Sequence, residues 1–294
     1  MSNIKVALIQ QSCQSNVAQN LHKSIAMIHQ AASDGAQLVV LQELHRTYYF
    51  CQSENQKCFD LAEPIPGPTT HVFSSLAAEL NIVIVASIFE RRTAGIYHNT
   101  AVVLDTDGSI AGIYRKMHIP DDPDYYEKYY FTPGDTGFKP VQTSLGKIGI
   151  LICWDQWFPE AARLLALAGA QILVCPTAIG WDGDDSVDEQ QRQLFAWQTM
   201  QRSHAIANAI PLISANRTGF EKNPNKEDRG ILFWGHSFIV GEQGETLAQA
   251  SQDEEELLTG NVNFKRCEQV RQQWPFLRDR RIDAYKELEK RYCE

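Results

Sequence analysis

A thiol, a carboxylate and an ammonium each stand where an apolar run of this chain stops. Cys153 closes KIGILIC (147–153), and WDQWFPEAARLL, a helix start, follows at once. A nucleophile at such a strand-to-helix elbow projects from the sheet edge, and the backbone N–H groups after it face whatever it attacks. Glu43 ends AQLVVLQE (36–43). A carboxylate is costly to bury without a partner, so a buried Glu43 would be a base in want of a proton. Lys116 ends SIAGIYRK (109–116), where a fixed ammonium could meet negative charge developing on a carbonyl oxygen. Each residue also has a plainer reading: a cysteine filling core, the first polar residue of the loop LHRTYY, a solvated turn lysine. Their shared placement at strand ends carries more weight than any one of them.

The elements that must position these residues alternate short apolar runs with longer amphipathic ones. Strands are expected at 4–10, 36–43, 82–90, 99–105, 109–116, 147–153, 171–176, 210–216 and 236–241, and helices at 18–34, 69–80, 158–168, 190–208 and 279–291. The strands are rich in Val and Ile without strict alternation, as when both faces are covered, and the interleaved helices put the chain in the α/β class. Asp107-Gly108 between TAVVLD and SIAGIYRK signals a hairpin, and HSFIVGEQGETLAQA repeats the pattern near residue 243. Two such hairpins suggest an internal pseudo-repeat of sheets. No GxGxxG follows the first strand, which sets a dinucleotide-binding fold aside.

Composition narrows the function. The 294 residues carry 27 basic and 36 acidic side chains, a net charge of −9, which argues against a nucleic-acid binder. Seven scattered cysteines, Cys13, Cys51, Cys58, Cys153, Cys175, Cys267 and Cys293, include no CxxC pair of the kind that clasps zinc. The N-terminal MSNIKVALIQQ begins a strand with no charged-then-apolar leader, and no apolar run approaches the ~20 residues of a membrane helix. The expectation is a reduced, soluble, cytoplasmic protein.

LVVLQE with Glu43, YRKMHIP with Lys116 and GILICWDQWFPE with Cys153 resemble the three signature blocks of the nitrilase superfamily of carbon–nitrogen hydrolases. The resemblance runs from about Ile4 to Phe264 and includes YFTPGD (130–135) and HAIANAIPLISANRTG (204–219). It implies an αββα sandwich over 4–264, with 265–294 as a C-terminal helical extension packed on the domain or on a partner subunit. It also implies a Glu-Lys-Cys catalytic set that needs no metal and no organic cofactor. Glu43 would be the proton acceptor, Lys116 the oxyanion group and Cys153 the nucleophile of a covalent acyl-enzyme, with Glu127 supporting Lys116. Family members commonly dimerise across the helix that follows the cysteine, here 158–168, so a homodimer or higher homo-oligomer is expected. His118 and His204 are left to packing and hydrogen bonding, and His45, two residues after Glu43, is placed at the pocket mouth with no catalytic role.

Two loops bear on the substrate. Residues 178–191, AIGWDGDDSVDEQQ, hold Asp182, Asp184, Asp185, Asp188 and Glu189, and no Lys or Arg occurs from Leu164 to Gln191. The loop is either a solvated part of an acidic protein or a seat for a substrate with an amine tail, drawn in by negative potential. Residues 119–138 carry four tyrosines between Tyr125 and Tyr130. Tyr49, Tyr125, Tyr130, Trp154 and Trp181 are the candidates to line the alkyl chain and offer cation–π contact, with Asp188 for the ammonium. In CWDQWFPEAARL, the PDDPDYYEKYYFTPGDTGF loop and the TAIGW opening of the acidic loop, the chain resembles the branch of the family that hydrolyses the ureido group of N-carbamoylputrescine to putrescine, carbon dioxide and ammonia. The alternatives are an N-carbamoyl amino acid or β-ureidopropionate, for which Arg192 or Arg217 would have to clamp the acid, and an ω-amidase substrate.

Overall fold

The computed structural model describes residues 3–226 and 228–293. In chain order its elements are β1 (Asn3–Gln10), α1 (Val17–Ser33), β2 (Leu38–Leu41), α2 (Pro68–Leu80), β3 (Val83–Thr93), β4 (Ile96–Leu104), β5 (Ile110–Arg115) and the single turn α3 (Glu127–Tyr130). There follow β6 (Val141–Thr143), β7 (Gly146–Ile150), α4 (Pro159–Leu167), β8 (Ile172–Pro176), β9 (Gly180–Trp181), α5 (Val187–Asn208) and β10 (Leu212–Ala215). The last are β11 (Thr218–Lys222), β12 (Gly230–Trp234), β13 (Phe238–Val240), β14 (Thr246–Gln249), β15 (Glu256–Asn263) and α6 (Phe264–Gln273).

Two six-stranded mixed sheets form, in the orders β15-β1-β2-β3-β4-β5 and β14-β13-β10-β8-β7-β6, beside a small sheet β11-β12-β9. Alternation along β1 shows how the layers arise. Ile4, Val6 and Leu8 enter a core shared with Ile148, Ile150 and Ile213 of the facing sheet. Ala7 and Ile9 turn the other way, toward Ile28 of α1 and Phe73 of α2. On the far side Leu173 and Leu212 pack on Ala162 and Leu165 of α4 and Trp197 of α5. The result is the expected αββα sandwich, with strands covered on both faces.

The two sheets are built alike. In the first, β1, β2 and β3 are parallel, β15 is antiparallel on one side, and the β4–β5 hairpin closes the other. In the second, β7, β8 and β10 are parallel, β6 is antiparallel on one side, and the β13–β14 hairpin closes the other. The pseudo-repeat suggested by the two hairpins is therefore a repeat of strand pairing. Both hairpin turns contain a glycine in the left-handed region, Gly108 at φ +80° and Gly244 at φ +80°.

The C-terminal segment differs from expectation. The helix predicted at 279–291 is replaced by two short 3₁₀ turns, Ile282–Ala284 and Lys286–Glu289, while α6 lies across the predicted boundary at 264. Helices draw most of their stability from a buried apolar stripe. Here Ile282, Leu288 and Tyr292 stay 64–79% exposed, so among the described residues this spacing buries no apolar stripe. Among the described residues no helix is long and apolar enough to cross a membrane.

Candidate active site

Lys116, Glu43 and Glu127 meet in a fully buried charge cluster. Lys116 follows β5, and its backbone N–H donates to the Asn99 carbonyl at 2.9 Å while its own carbonyl accepts from Gly134 N–H at 2.8 Å. Gly134 is required there, since a Cβ would lie 2.0 Å from the Arg115 carbonyl oxygen. Lys116 Nζ donates to Glu43 Oε1 at 2.8 Å and to Glu127 Oε2 at 2.6 Å, with all three side chains inaccessible to solvent. Asn99 Nδ2 also donates to Glu43 Oε1, at 2.6 Å, and Tyr49 Oη donates to Glu127 Oε1 at 2.6 Å. Asn99 is in turn held by Ser87, whose hydroxyl donates to its side-chain oxygen at 3.0 Å. Glu43 Oε1 thus takes two donors, whereas Oε2 is buried and has no hydrogen-bond partner.

The loop carrying Glu43 is held from behind. Leu44 sits in the left-handed region at φ +49°, a strained conformation for a γ-branched residue. Arg217, fully buried, donates to the carbonyls of Glu43 at 3.1 Å, Leu44 at 3.0 Å and Thr47 at 2.8 Å. It also donates to Glu221 Oε1 at 2.6 Å, and the other oxygen of Glu221 accepts from the Tyr49 N–H at 2.6 Å. Arg217 is therefore committed to backbone support and is not free to clamp a substrate acid. Arg192 is exposed and pairs with Glu189.

Cys153 follows Ile152, past the end of β7, and opens a 3₁₀ turn (Cys153–Trp157) in the left-handed region at φ +44°. It is 4% exposed, and its thiol lies 3.9 Å from the Ala178 carbonyl oxygen. Burial, and then the Glu43 charge, raise the thiol well above its ordinary range against the pull of Lys116. Such a group rests as a thiol and needs a proton acceptor before it can attack. Burial alone would lower the Lys116 ammonium, but Glu127 and Glu43 hold it well above the usual lysine value. Burial pushes Glu127 up to about 7, with Lys116 opposing and Glu43 adding to the rise.

A cavity of about 470 Å³ opens over Cys153. Its aromatic walls are Tyr125, Trp154, Trp157 and Trp234, its acids are Asp122, Asp182 and Asp185, and none of the lining residues is Lys or Arg. The Tyr125 hydroxyl fastens the 119–126 loop to β9, accepting from Gly180 N–H at 2.9 Å and donating to Gly180 O at 3.2 Å. Asp185 is held in place by Gln193, whose amide donates to it at 3.2 Å.

Of the residues expected in the site, Glu43, Lys116, Cys153 and Glu127 are brought together, and Trp154 and Tyr125 line the cavity. Four substrate-binding expectations are corrected. Tyr49 is buried and holds Glu127 instead of lining the cavity. Tyr130 turns into an aromatic cluster with Phe50, Phe59 and Phe89, its hydroxyl donating to Ser53 O at 2.5 Å. Trp181 lies behind the wall against Trp234 and donates its indole N–H to Gln190 O. Asp188 is exposed in the first turn of α5, and the acids that reach the cavity are its neighbours Asp182 and Asp185 together with Asp122. Asn99, Trp157 and Trp234 escape the sequence reading. Asn99 alone leaves a signal there, an amide inside the apolar strand HNTAVVLD. His118 bonds Asp155, His204 bonds the Gln156 carbonyl, and His45 is buried beside Phe73, away from the cavity.

Comparison with known proteins agrees with this geometry. The model of the carbon–nitrogen hydrolase family matches residues 5–272. An N-carbamoylputrescine amidase of Solanum lycopersicum is 43% identical over 97% of this chain and 94% of its own. A citrullinase of Francisella tularensis is 43% identical over 99% of this chain and 100% of its own. The crystal structure of a carbon–nitrogen hydrolase from Helicobacter pylori superposes with a TM-score of 0.96 at 52% identity, covering 99% of this chain and 100% of the other. With a matching family model over nearly its whole length, the chain belongs to the carbon–nitrogen hydrolases of the nitrilase superfamily, enzymes that hydrolyse carbon–nitrogen bonds other than peptide bonds.

Proposed function

We propose that this enzyme hydrolyses N-carbamoylputrescine to putrescine, carbon dioxide and ammonia. The observation that carries the reading is the cavity over Cys153, where Asp122, Asp182 and Asp185 stand among four aromatic side chains and none of the described lining residues is Lys or Arg. A wall of that kind suits an alkyl chain ending in an ammonium: the rings cover the methylenes and the carboxylates meet the charge. Among the described lining residues it holds no cation to pair with a carboxylate tail.

In this reading the unpartnered Oε2 of Glu43 takes the Cys153 proton, and the thiolate attacks the carbamoyl carbon. Charge passes to the carbonyl oxygen, where Lys116 Nζ and the Trp154 backbone N–H stabilise it. Glu43 returns the proton to the departing nitrogen, the C–N bond breaks, and a thiocarbamate on Cys153, which keeps the other nitrogen, remains. Glu43 then removes a proton from the water that cleaves this intermediate, the thiol is restored, and the carbamic acid released loses carbon dioxide to free the second amine. Glu127 keeps Lys116 aimed throughout. The enzyme acts as a homodimer or larger homo-oligomer in the cytoplasm.

A second reading rests on the citrullinase at 43% identity. Citrulline presents the same ureido chain but carries a carboxylate beside its amine. Ammonia release from N-carbamoylputrescine, citrulline and N-carbamoyl-β-alanine at equal concentration separates the cases. We expect kcat/KM for N-carbamoylputrescine to exceed that for the other two by at least about tenfold, the worth of one charge-assisted hydrogen bond left unpaired. Equal or better turnover of citrulline would replace the proposal with the second reading.

A further inference from the structure

Asp155 has no part in the chemistry above, yet it is completely buried and accepts from four donors. Its Oδ2 accepts from Tyr114 Oη at 2.8 Å and from Ile152 N–H at 3.0 Å. Its Oδ1 accepts from His118 N–H at 3.0 Å and lies 2.8 Å from His118 Nδ1. The partners are informative. Tyr114 and His118 flank Lys116 by two residues on either side, and Ile152 immediately precedes Cys153. The His118 ring is further pinned by stacking on Phe158 at 3.7 Å and 8°.

We infer that Asp155 is a positioning residue: one carboxylate fixes the nucleophile elbow against both sides of the lysine that meets the oxyanion. The inference rests on the proposed roles of Cys153 and Lys116. The elbow needs such a hold, because Cys153 occupies the left-handed region at φ +44°, a conformation that persists only when its surroundings over-determine it. No other connection among the described hydrogen bonds joins residue 152 to residues 114–118 through a single side chain.

Asparagine is the informative replacement. It has the shape of aspartate, but one of its two terminal atoms becomes an NH2 group that accepts nothing. Whichever way the amide turns, that group faces a backbone N–H, of Ile152 in one orientation and of His118 in the other. One segment must come loose in either case. Displacements of about 1 Å in a reacting constellation can cost on the order of 100-fold in rate.

The test measures kcat and KM for Asp155→Asn, Tyr114→Phe and the double variant, with the rate of Cys153 alkylation by iodoacetamide followed across pH by peptide mass. We expect Asp155→Asn to lower kcat on the order of 100-fold at unchanged KM. Tyr114→Phe should lower it less, and the double variant should fall short of the product of the two effects. Alkylation in Asp155→Asn should shift to higher pH, since Lys116 is what draws the thiol down. Unchanged kcat, or a raised KM with kcat intact, would overturn the inference. If Asp155→Asn does not fold, Tyr114→Phe decides on the same kcat criterion. The alkylation arm needs no substrate, so an enzyme that ignores N-carbamoylputrescine but alkylates as described would defeat the proposed substrate and leave the positioning role standing.

Discussion

Replacing Glu127 with glutamine tests whether the second glutamate is needed to aim Lys116. In the native site Glu127 accepts at both oxygens, from Lys116 at 2.6 Å and from Tyr49 at 2.6 Å. Glutamine can keep its carbonyl toward Lys116 and turn its NH2 toward the Tyr49 oxygen, which has a lone pair to offer, so no donor need be orphaned. What disappears is the charge. Lys116 is left with Glu43 at 2.8 Å as its one ionic partner and swings toward it, away from the position where an oxyanion would form. A hydrogen bond to a charged group is worth about 1.5–3 kcal/mol, which at 1.4 kcal/mol per decade is roughly a 10- to 150-fold loss in kcat if the transition state feels all of it. The pH dependence sharpens the test. Burial raises Glu127 to about 7 from an ordinary 4.5, so folding favours its protonated form. Its contribution to stability is complete below about 4.5 and is lost as pH rises through 7. Activity runs the opposite way, since only the carboxylate accepts from Lys116 as an ion partner. Wild-type kcat should therefore climb through pH 7 while Tm declines, and Glu127→Gln should lose both slopes. The assay is kcat between about pH 5 and 9 paired with thermal melts over the same range, values chosen to span roughly two units either side of that midpoint. A variant with wild-type kcat at pH 8, or one that keeps an inflection near 7, would refute the reasoning.

Two further outcomes follow from the same geometry. Cys153→Ala should hydrolyse nothing while melting within about 4 °C of the parent, since it removes one buried sulfur and no hydrogen bond shorter than 3.9 Å; residual turnover above background would reject the nucleophile. Asp182→Asn and Asp185→Asn should each raise KM for a diamine-tailed substrate by up to about fivefold with kcat held, the range of a partly solvated ion pair, and the loss should shrink as salt is added. Flat KM values in both variants and in Asp122→Asn would remove the cavity acids from substrate recognition.

How much of this was legible in the sequence depended on whether the signal was local. Glu43, Lys116 and Cys153 each interrupt an apolar run, and the elements that carry them need only strand patterning to be found. Facing is another matter. Tyr125 and Tyr130 are five residues apart in one tyrosine-rich loop, yet the turn at Glu127–Tyr130 sends the second toward Phe50 and Phe89 while the first stays over the cavity. Nothing in the spacing distinguishes them, because the partners that decide lie 40 to 80 residues away in sequence. Asp188 failed for the complementary reason. As the second residue of α5 it favours the helix N-terminus and points to solvent, whereas Asp182 and Asp185 lie in the loop before it, at the cavity. The contacts of Asp155 and Arg217 were out of reach, since two of the four groups Asp155 holds and three of the four Arg217 holds are backbone, which a sequence of side chains does not display.

The repeated strand pairing explains why the reactive residues needed both halves of the chain. Each sheet has three adjacent parallel strands, whose carboxyl ends are where open α/β sheets place their sites. The two sets are joined at those ends: Glu43 N–H, just past β2, donates to the carbonyl of Thr177, just past the equivalent strand β8, at 3.3 Å. That contact brings Glu43 from one half beside Cys153 and Ala178 from the other. Lys116 arrives from the hairpin edge of the first half, and the corresponding edge of the second half, β13–β14, contributes no residue to the cavity. On the proposed roles, a single sheet with its helices would supply a base and an ammonium without a nucleophile, or a nucleophile without a base. The sandwich is therefore a requirement of the chemistry as well as of the core.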